Sequence, residues 1–502
     1  VRVANVKRVI LILLTIITLV PLLSSLWASF QEPQIQGRLE LYQTNLVLQA
    51  AEYDPNSTAT TSPEAIATLV TQLTGQDPYS SAIAQYKKVL SSSEARQKLL
   101  TDSTETSAAQ TQATKKAIAE TATLIDELQL RLGILYASRG KLEQAQQRWE
   151  AISGEESDGL AQTLAPLWLN SQAPTDPNAL TQTELETWFE QQNLQKLYQI
   201  QDNRPAQQQL QQQIQQNAQR AFLKLTVITV LPFSVGLFGL GFLIFLGVQA
   251  FRKQEAALLH IDDQATWNTP WNGEIIWQVF IVGFFLVGQI ILPLALPIAL
   301  QAFSIDATAW TVREKAVYTL ITYSLMAIAG LIVLAASVWE FRPLPQGWFQ
   351  VKWLDNWTVW GFGGYMVALP LVLLVSLLNQ QIWQGQGGSN PILFLALKAQ
   401  DQVALTIFFL TASVMAPLFE EIMFRGFLLP SLTRYVPVWG SIILSAFLFA
   451  IAHMSLSEVL PLMTLGIILG FVYVKSRNLL APMLLHSLWN SGTLLSLFIL
   501  GS

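Results

Sequence analysis

The chain contains no cysteine in its 502 residues. That excludes disulfides, thiol catalysis and cysteine-ligated metal, and it leaves the redox compartment unreadable. Charge is scarce as well. Asp, Glu, Lys and Arg make up 13% of the chain, against roughly 25% in ordinary soluble domains. The net charge is −5, so nothing points to nucleic acid as a partner. There are three histidines, His260, His453 and His486. The zinc-protease spacing H-E-x-x-H is absent, so a metal is not compelled.

What is abundant is apolar sequence, 51% of all residues. Runs of roughly 20 apolar residues are long enough to cross a bilayer as helices. Nine occur, at about 9–30, 222–251, 275–303, 316–339, 357–378, 402–429, 437–455, 459–475 and 479–500. The expected fold is all-α: a polytopic membrane helical bundle of about nine transmembrane helices with an extracytoplasmic helical domain. Basic residues gather on cytoplasmic flanks. Arg2, Lys7 and Arg8 precede the first run, and Arg252/Lys253, Arg342/Lys352, Arg434 and Lys475/Arg477 follow on alternate ends. This predicts a cytoplasmic N-terminus and places residues 31–220 outside the cytoplasm. The first run exceeds a signal-peptide core of about 7–15 residues, so residues 1–30 are expected to be an uncleaved membrane anchor.

Residues 31–220 are a different kind of sequence, rich in Gln, Ala, Ser and Thr, with apolar residues such as Ile125, Leu128, Leu132 and Leu135 at helical spacing. Residues 205–251 read as one long helix. The stretch Leu132–Ala145, with Gly140 at a turn and Trp149 beyond it, resembles one tetratricopeptide hairpin. A solenoid needs about three copies, and an ordinary helical hairpin reads equally well. The repeat-like reading implies a protein partner for this domain. Residues 221–400 hold further membrane helices and a polar outer loop at 379–401. Trp267, Trp271, Trp277, Trp353, Trp357 and Trp360 flank the apolar runs and are expected to form an interfacial belt. His260, beside Asp262 and Asp263, reads as a solvated residue.

Residues 401–502 carry the chemistry. Titratable groups inside apolar helices are costly, and they persist when they pair or react. Glu420-Glu421-x-x-x-Arg425, Phe449-x-x-x-His453 and His486-x-x-x-Asn490 all lie in such helices. Glu421 and Arg425 stand at i,i+4 and can pair, which leaves Glu420 free for a cavity. Glu420 and His453 each lie about 16 residues from the turn at 435–437, so both sit at a depth of ~24 Å. His486 is about eight residues past Arg477, ~12 Å deep. Levelling it with Glu420 requires a loop sunk into the protein or a tilted helix. Pro417 precedes Glu420 by three residues and can free a backbone carbonyl near the site. A glutamate in an apolar pocket can act as general base toward water, with one histidine holding that water and a second histidine plus Asn donating to an oxyanion. Alternatively, Glu420, His453 and His486 could hold a zinc ion that activates the water.

The ordered trio, beginning Ala416-Pro417-Leu418-Phe419-Glu420-Glu421 and running to His486-x-x-x-Asn490, resembles the CPBP family, the CAAX prenyl and bacteriocin-processing (Abi) membrane proteases. The resemblance covers roughly 400–500. It implies an intramembrane endopeptidase acting at the lipid bilayer on a membrane-embedded or lipid-modified protein or peptide. It implies Glu420 as the base aided by His453, His486 and Asn490 as oxyanion donors, and Glu421, Arg425 and Phe449 as supporting residues. Cofactor use stays open between none and zinc. The competing readings are a non-catalytic scaffold of the same fold acting through 31–220, and a proton-relay transporter, for which no inverted repeat is visible.

Overall fold

The structure is a computed structural model that describes residues 2–30, 32, 34–57, 62–105, 112–174, 180, 185–253, 257–262, 265–383, 385–398 and 401–501. Asp263 lies outside the described residues. The described residues form helices and no strands. The chain divides into two units, Gln36–Thr229 and Val1–Ile35 with Val230–Ser502.

The Gln36–Thr229 unit holds α2 (Gln36–Ala51), α3 (Pro63–Thr74), α4 (Pro78–Glu105), α5 (Gln112–Ser138), α6 (Leu142–Glu150), α7 (Glu155–Leu169), α8 (Thr187–Ile200) and the first half of α9 (Arg204–Lys253). The apolar stripe of α5 enters a core with Tyr86, Trp149, Leu164 and Phe189. The α5–α6 hairpin turns at Gly140, whose φ of +73° suits only glycine well. Trp149 fills the space that a side chain at Gly133 would need, and its indole donates to Leu130 O at 3.2 Å. These contacts make a tight helical hairpin.

The other unit is an integral membrane bundle. Among the described residues, eight helices have the length and apolarity to cross a membrane. They include α1 (Arg2–Ser29), α12 (Val312–Val338), α13 (Trp357–Trp383), α19 (Val459–Ser476), α20 (Leu480–Gly501) and a rod at Gln402–Leu432. The ninth expected run is α18 (Val438–Ile451), with 14 residues. At ~1.5 Å per residue it is ~21 Å long, short of the roughly 30 Å of bilayer hydrocarbon. The chain therefore turns back at 452–458, within the thickness that a longer helix would cross.

Irregular backbone at such a depth needs protein around it to satisfy its polar groups. Asn379 and residues 385–390, with Ser29 of α1, supply that cover. Ser457 N donates to Gly387 O at 3.1 Å, and Ser457 Oγ donates to Gly388 O at 2.6 Å. Asn379 Nδ2 donates to Ser457 O at 2.6 Å. Asn390 N donates to Glu458 Oε1 at 2.9 Å, and Leu456 N donates to Ser29 Oγ at 3.2 Å. Residues 385–390 thus form a strap over the turn that carries His453. Helix α14 (Pro391–Lys398) follows the strap and packs on α20.

The opposite end of the bundle is sealed by 257–262, 265–272 and 342–356. Here the expected aromatic belt is corrected in part. Trp267 and Trp271 are buried: Trp267 stacks on Tyr473, and the Trp271 indole donates to Ser431 Oγ at 2.9 Å. They act as core because Arg434 and Arg477 bind the carbonyls of their loop and pull it onto the helix ends. Trp353 stays exposed, as an interfacial side chain would. His260 is exposed, as expected for a solvated residue.

Candidate active site

The rod Gln402–Leu432 is helical throughout but changes pitch. It runs as α15 (Gln402–Leu410), a π-helical stretch Thr411–Met415, α16 (Ala416–Glu421), a second π-helical stretch Ile422–Leu428 and α17 (Leu429–Leu432). Such π turns recur at functional sites. Pro417 helps to explain the first one. In that stretch Ala416 N bonds to Thr411 O, an i+5 step. The next i+5 step, from Ala412 O, lands on Pro417, which has no N–H. The i+4 step from Ser413 O lands there too. Helix α20 supplies the missing donors: Asn490 Nδ2 reaches Ala412 O at 2.7 Å, and Ser487 Oγ reaches Ser413 O at 2.6 Å. The carbonyls that Pro417 deprives of a backbone donor are thus satisfied by the neighbouring helix.

Glu420 and Glu421, adjacent in sequence, face different partners. Glu421 is fully buried. Its Oε1 accepts from Arg425 Nη1 and from His486 Nδ1, each at 2.8 Å. Arg425 also donates to Gly466 O at 3.2 Å and lies 4.5 Å over the Phe449 ring. Gly466 brings α19 close: a Cβ there would meet Ala446 Cβ at 2.9 Å. A single buried cation is therefore matched by one carboxylate, one carbonyl and one aromatic face.

Glu420 is half-buried and turned toward α12. Its Oε1 accepts from the Tyr323 hydroxyl at 2.8 Å. Its Oε2 is buried with no protein donor and lies 3.8 Å from His486 Nε2. In the tautomer that places the proton on Nδ1, His486 donates to Glu421, and a neutral ring then presents a lone pair at Nε2. In that form two acceptors face each other across 3.8 Å.

His453 follows α18, with Nδ1 at 2.9 Å from Phe449 O. A carbonyl only accepts, so Nε2 of the neutral ring again holds the lone pair. Phe449 stands between the histidines, edge-on to His453 at 4.9 Å and to His486 at 5.7 Å. At the start of α20, Asn478 and Leu479 are buried, and Asn478 pairs with the backbone of Lys352.

The structure therefore brings Glu420, Glu421, Arg425, Phe449 and His486 into one contact set, with His453 on the far edge of Phe449. Asn490 shares the face of His486, but its amide is engaged at Ala412 O, two turns before Glu420. A zinc set needs three protein ligands around one point. Among the described residues no three His, Asp or Glu side chains gather that closely, so Glu420, His453 and His486 do not fit a resident zinc ion. Sequence reasoning missed Tyr323 and Ser487, which carry no motif. The prolines and the freed carbonyl were the available signal for Ser487. A surface cavity of about 360 Å³ lies between α12 and the start of α20, lined by Leu334, Arg342, Phe349, Ile422 and Met483 among others. None of the candidate catalytic side chains lines it, so it does not mark the chemistry.

Residues 402–492 match the family model of the Rce1-like type II CAAX prenyl endopeptidases. Over 137 residues the chain is 28% identical to the membrane-embedded CAAX protease MroQ of Staphylococcus aureus (strain USA300), a stretch that covers 26% of this chain and 54% of that protein. Over 133 residues it is 23% identical to a Bacillus subtilis (strain 168) protein named "Putative membrane peptidase YdiL", covering 26% of this chain and 53% of the relative. The chain thus spans about half the length of the curated relatives it matches. No solved structure matches significantly. The matched stretch contains all three motifs in order, and over this stretch the chain is similar to CAAX-type membrane proteases, in support of a CPBP-family protease.

Proposed function

We propose that the protein is an intramembrane endopeptidase that uses Glu420 as general base to hydrolyse a peptide bond in a membrane-embedded or lipid-modified protein or peptide. The observation that carries this reading is the 3.8 Å approach of Glu420 Oε2, buried without a protein donor, to His486 Nε2, which in the neutral Nδ1–H tautomer makes a pair of facing acceptors. A water that donates one O–H to each keeps its lone pairs free for attack. As the water oxygen bonds to the scissile carbonyl carbon, its proton passes to Glu420. The tetrahedral intermediate then collapses, the C–N bond breaks, and the leaving amine takes the proton back from Glu420. The Arg425–Glu421 pair holds His486 in the tautomer this requires.

This assigns His486 to the water rather than to the oxyanion, because its neutral Nε2 has no proton to donate. The second N–H of Asn490 is the remaining amide donor on that face. His453 offers a further acceptor beyond Phe449. Basic flanks support a cytoplasmic N-terminus with residues 31–220 on the other side, where that domain would recruit a protein partner.

The test is terminus profiling of host membrane proteins in wild type against Glu420→Gln and His486→Ala. General-base catalysis is worth about 10²- to 10⁴-fold, so termini made by this protein should vanish in Glu420→Gln. Unchanged termini in a well-folded Glu420→Gln protein would instead favour the scaffold reading.

A further inference from the structure

We infer that Tyr323 is a positioning residue for Glu420, fixing which carboxylate oxygen faces His486; this rests on the reading of Glu420 as the base. Tyr323 lies on α12, outside the matched stretch 402–492. Its hydroxyl is 2.8 Å from Glu420 Oε1, and its ring meets Phe419 edge-on at 6.2 Å.

The placement is built rather than incidental. Tyr323, Ala327, Gly330 and Leu334 form one stripe of α12 at helical spacing, and Ala327 and Leu334 are buried. At Gly330 the helix presses on the rod: a Cβ there would meet the Phe419 ring at 3.0 Å. Phe419 is the residue just before Glu420, so the packing that sets the register of α12 also sets the distance from hydroxyl to carboxylate. The Tyr323 hydroxyl is the polar group of that stripe that faces Glu420.

A glutamate carboxylate turns about a broad, two-fold terminal torsion. Left free, either oxygen can point at the facing histidine, and the plane can swing away from it. A phenol that donates to Oε1 holds the plane. It commits Oε2 to the space beside His486 Nε2, where the attacking water must lie. The other groups facing Glu420 cannot do this. Arg425 is engaged by Glu421, and His486 Nε2 is itself an acceptor.

The measurement is kinetic, in proteoliposomes, on a reporter carrying a cleavage site that terminus profiling assigns to the wild-type protein. Tyr323→Phe removes one oxygen and keeps the ring, so the fold is retained. Losing a hydrogen bond to a charged group should lower kcat by about 10- to 100-fold at unchanged KM. Glu420→Asp draws the carboxylate back by about one C–C bond, ~1.5 Å, beyond reach of the hydroxyl. In that background Tyr323→Phe should cost less than about threefold, a non-additivity that a merely structural tyrosine would not produce. Wild-type kcat in Tyr323→Phe, with Glu420→Gln inactive, would overturn the positioning role and leave the peptidase reading standing. A raised KM with kcat unchanged would make Tyr323 a substrate contact and overturn it too, as would an equal loss in both backgrounds. Full activity in Glu420→Gln would remove the base itself and the inference with it.

Discussion

Asn490 and Pro417 should be energetically coupled although they lie on different helices. Asn490 Nδ2 donates to Ala412 O at 2.7 Å, the carbonyl whose i+5 partner is Pro417. Asn490→Leu keeps the side-chain volume and removes the donor. The carbonyl, enclosed in an apolar rod, then has no partner, at a cost of about 1–3 kcal/mol. Pro417→Ala restores a backbone N–H at the position that both Ala412 O and Ser413 O address. In that background Asn490→Leu should cost no more than about 0.5 kcal/mol, because the carbonyl regains a donor from its own helix. The coupling energy of the cycle is then about 1–2 kcal/mol. The assay is reversible unfolding of the four proteins in mixed micelles, followed by tryptophan emission. Equal costs of Asn490→Leu with and without Pro417 would refute the argument and return Asn490 to a purely catalytic role. Cleavage adds a second reading. If Asn490 mainly clamps the rod, the double variant should recover activity along with stability.

Three further outcomes follow from the same geometry. Arg425→Met leaves the fully buried Glu421 carboxylate without its cation and should cost about 3–5 kcal/mol; adding Glu421→Gln, which keeps an acceptor for His486, should recover most of it, and a double variant no more stable than the single would refute this. Gly387 has φ +102° and a Cβ there would lie 2.7 Å from Ser457 Cβ, so Gly387→Ala should destabilise by about 2–4 kcal/mol and lower cleavage by shifting the turn that carries His453; thermal melts and the cleavage assay check both. In the Gln36–Thr229 unit, burial holds the Glu186 carboxyl above its usual range, with Arg131 opposing the shift. An acid with a raised folded pKa is favoured in the folded state while protonated, so its contribution is lost as pH rises from the ordinary value of 4.5 through the raised one. Glu186→Gln should flatten that part of the profile in melts across pH, and an unchanged slope would refute the assignment.

The sequence by itself determined the helical character of the chain and named most of the candidate residues of the site. Long apolar runs can satisfy their backbone in hydrocarbon only as helices, so the bundle was legible without coordinates. The i,i+4 steps Glu421/Arg425 and His486/Asn490 follow from helical pitch alone, and so does the rule that Pro417 must free a carbonyl. Only the tertiary structure decided what those groups touch. Helical spacing places Asn490 beside His486, but not that its amide is spent on Ala412 O. The Glu421–His486 bond spans 65 residues and the Tyr323–Glu420 bond 97, and no local pattern encodes a contact between separate helices. Past Ile451 the sequence mixes Ala452, Met454 and Leu456 with His453, Ser455, Ser457 and Glu458, which marks a break without showing what covers it; the distant strap at 385–390 satisfies the polar groups of that turn. Pitch and polarity are properties of one segment, whereas register between helices is set by small close contacts such as Gly330 on Phe419 and Gly466 on Ala446, which exist only once the bundle has packed.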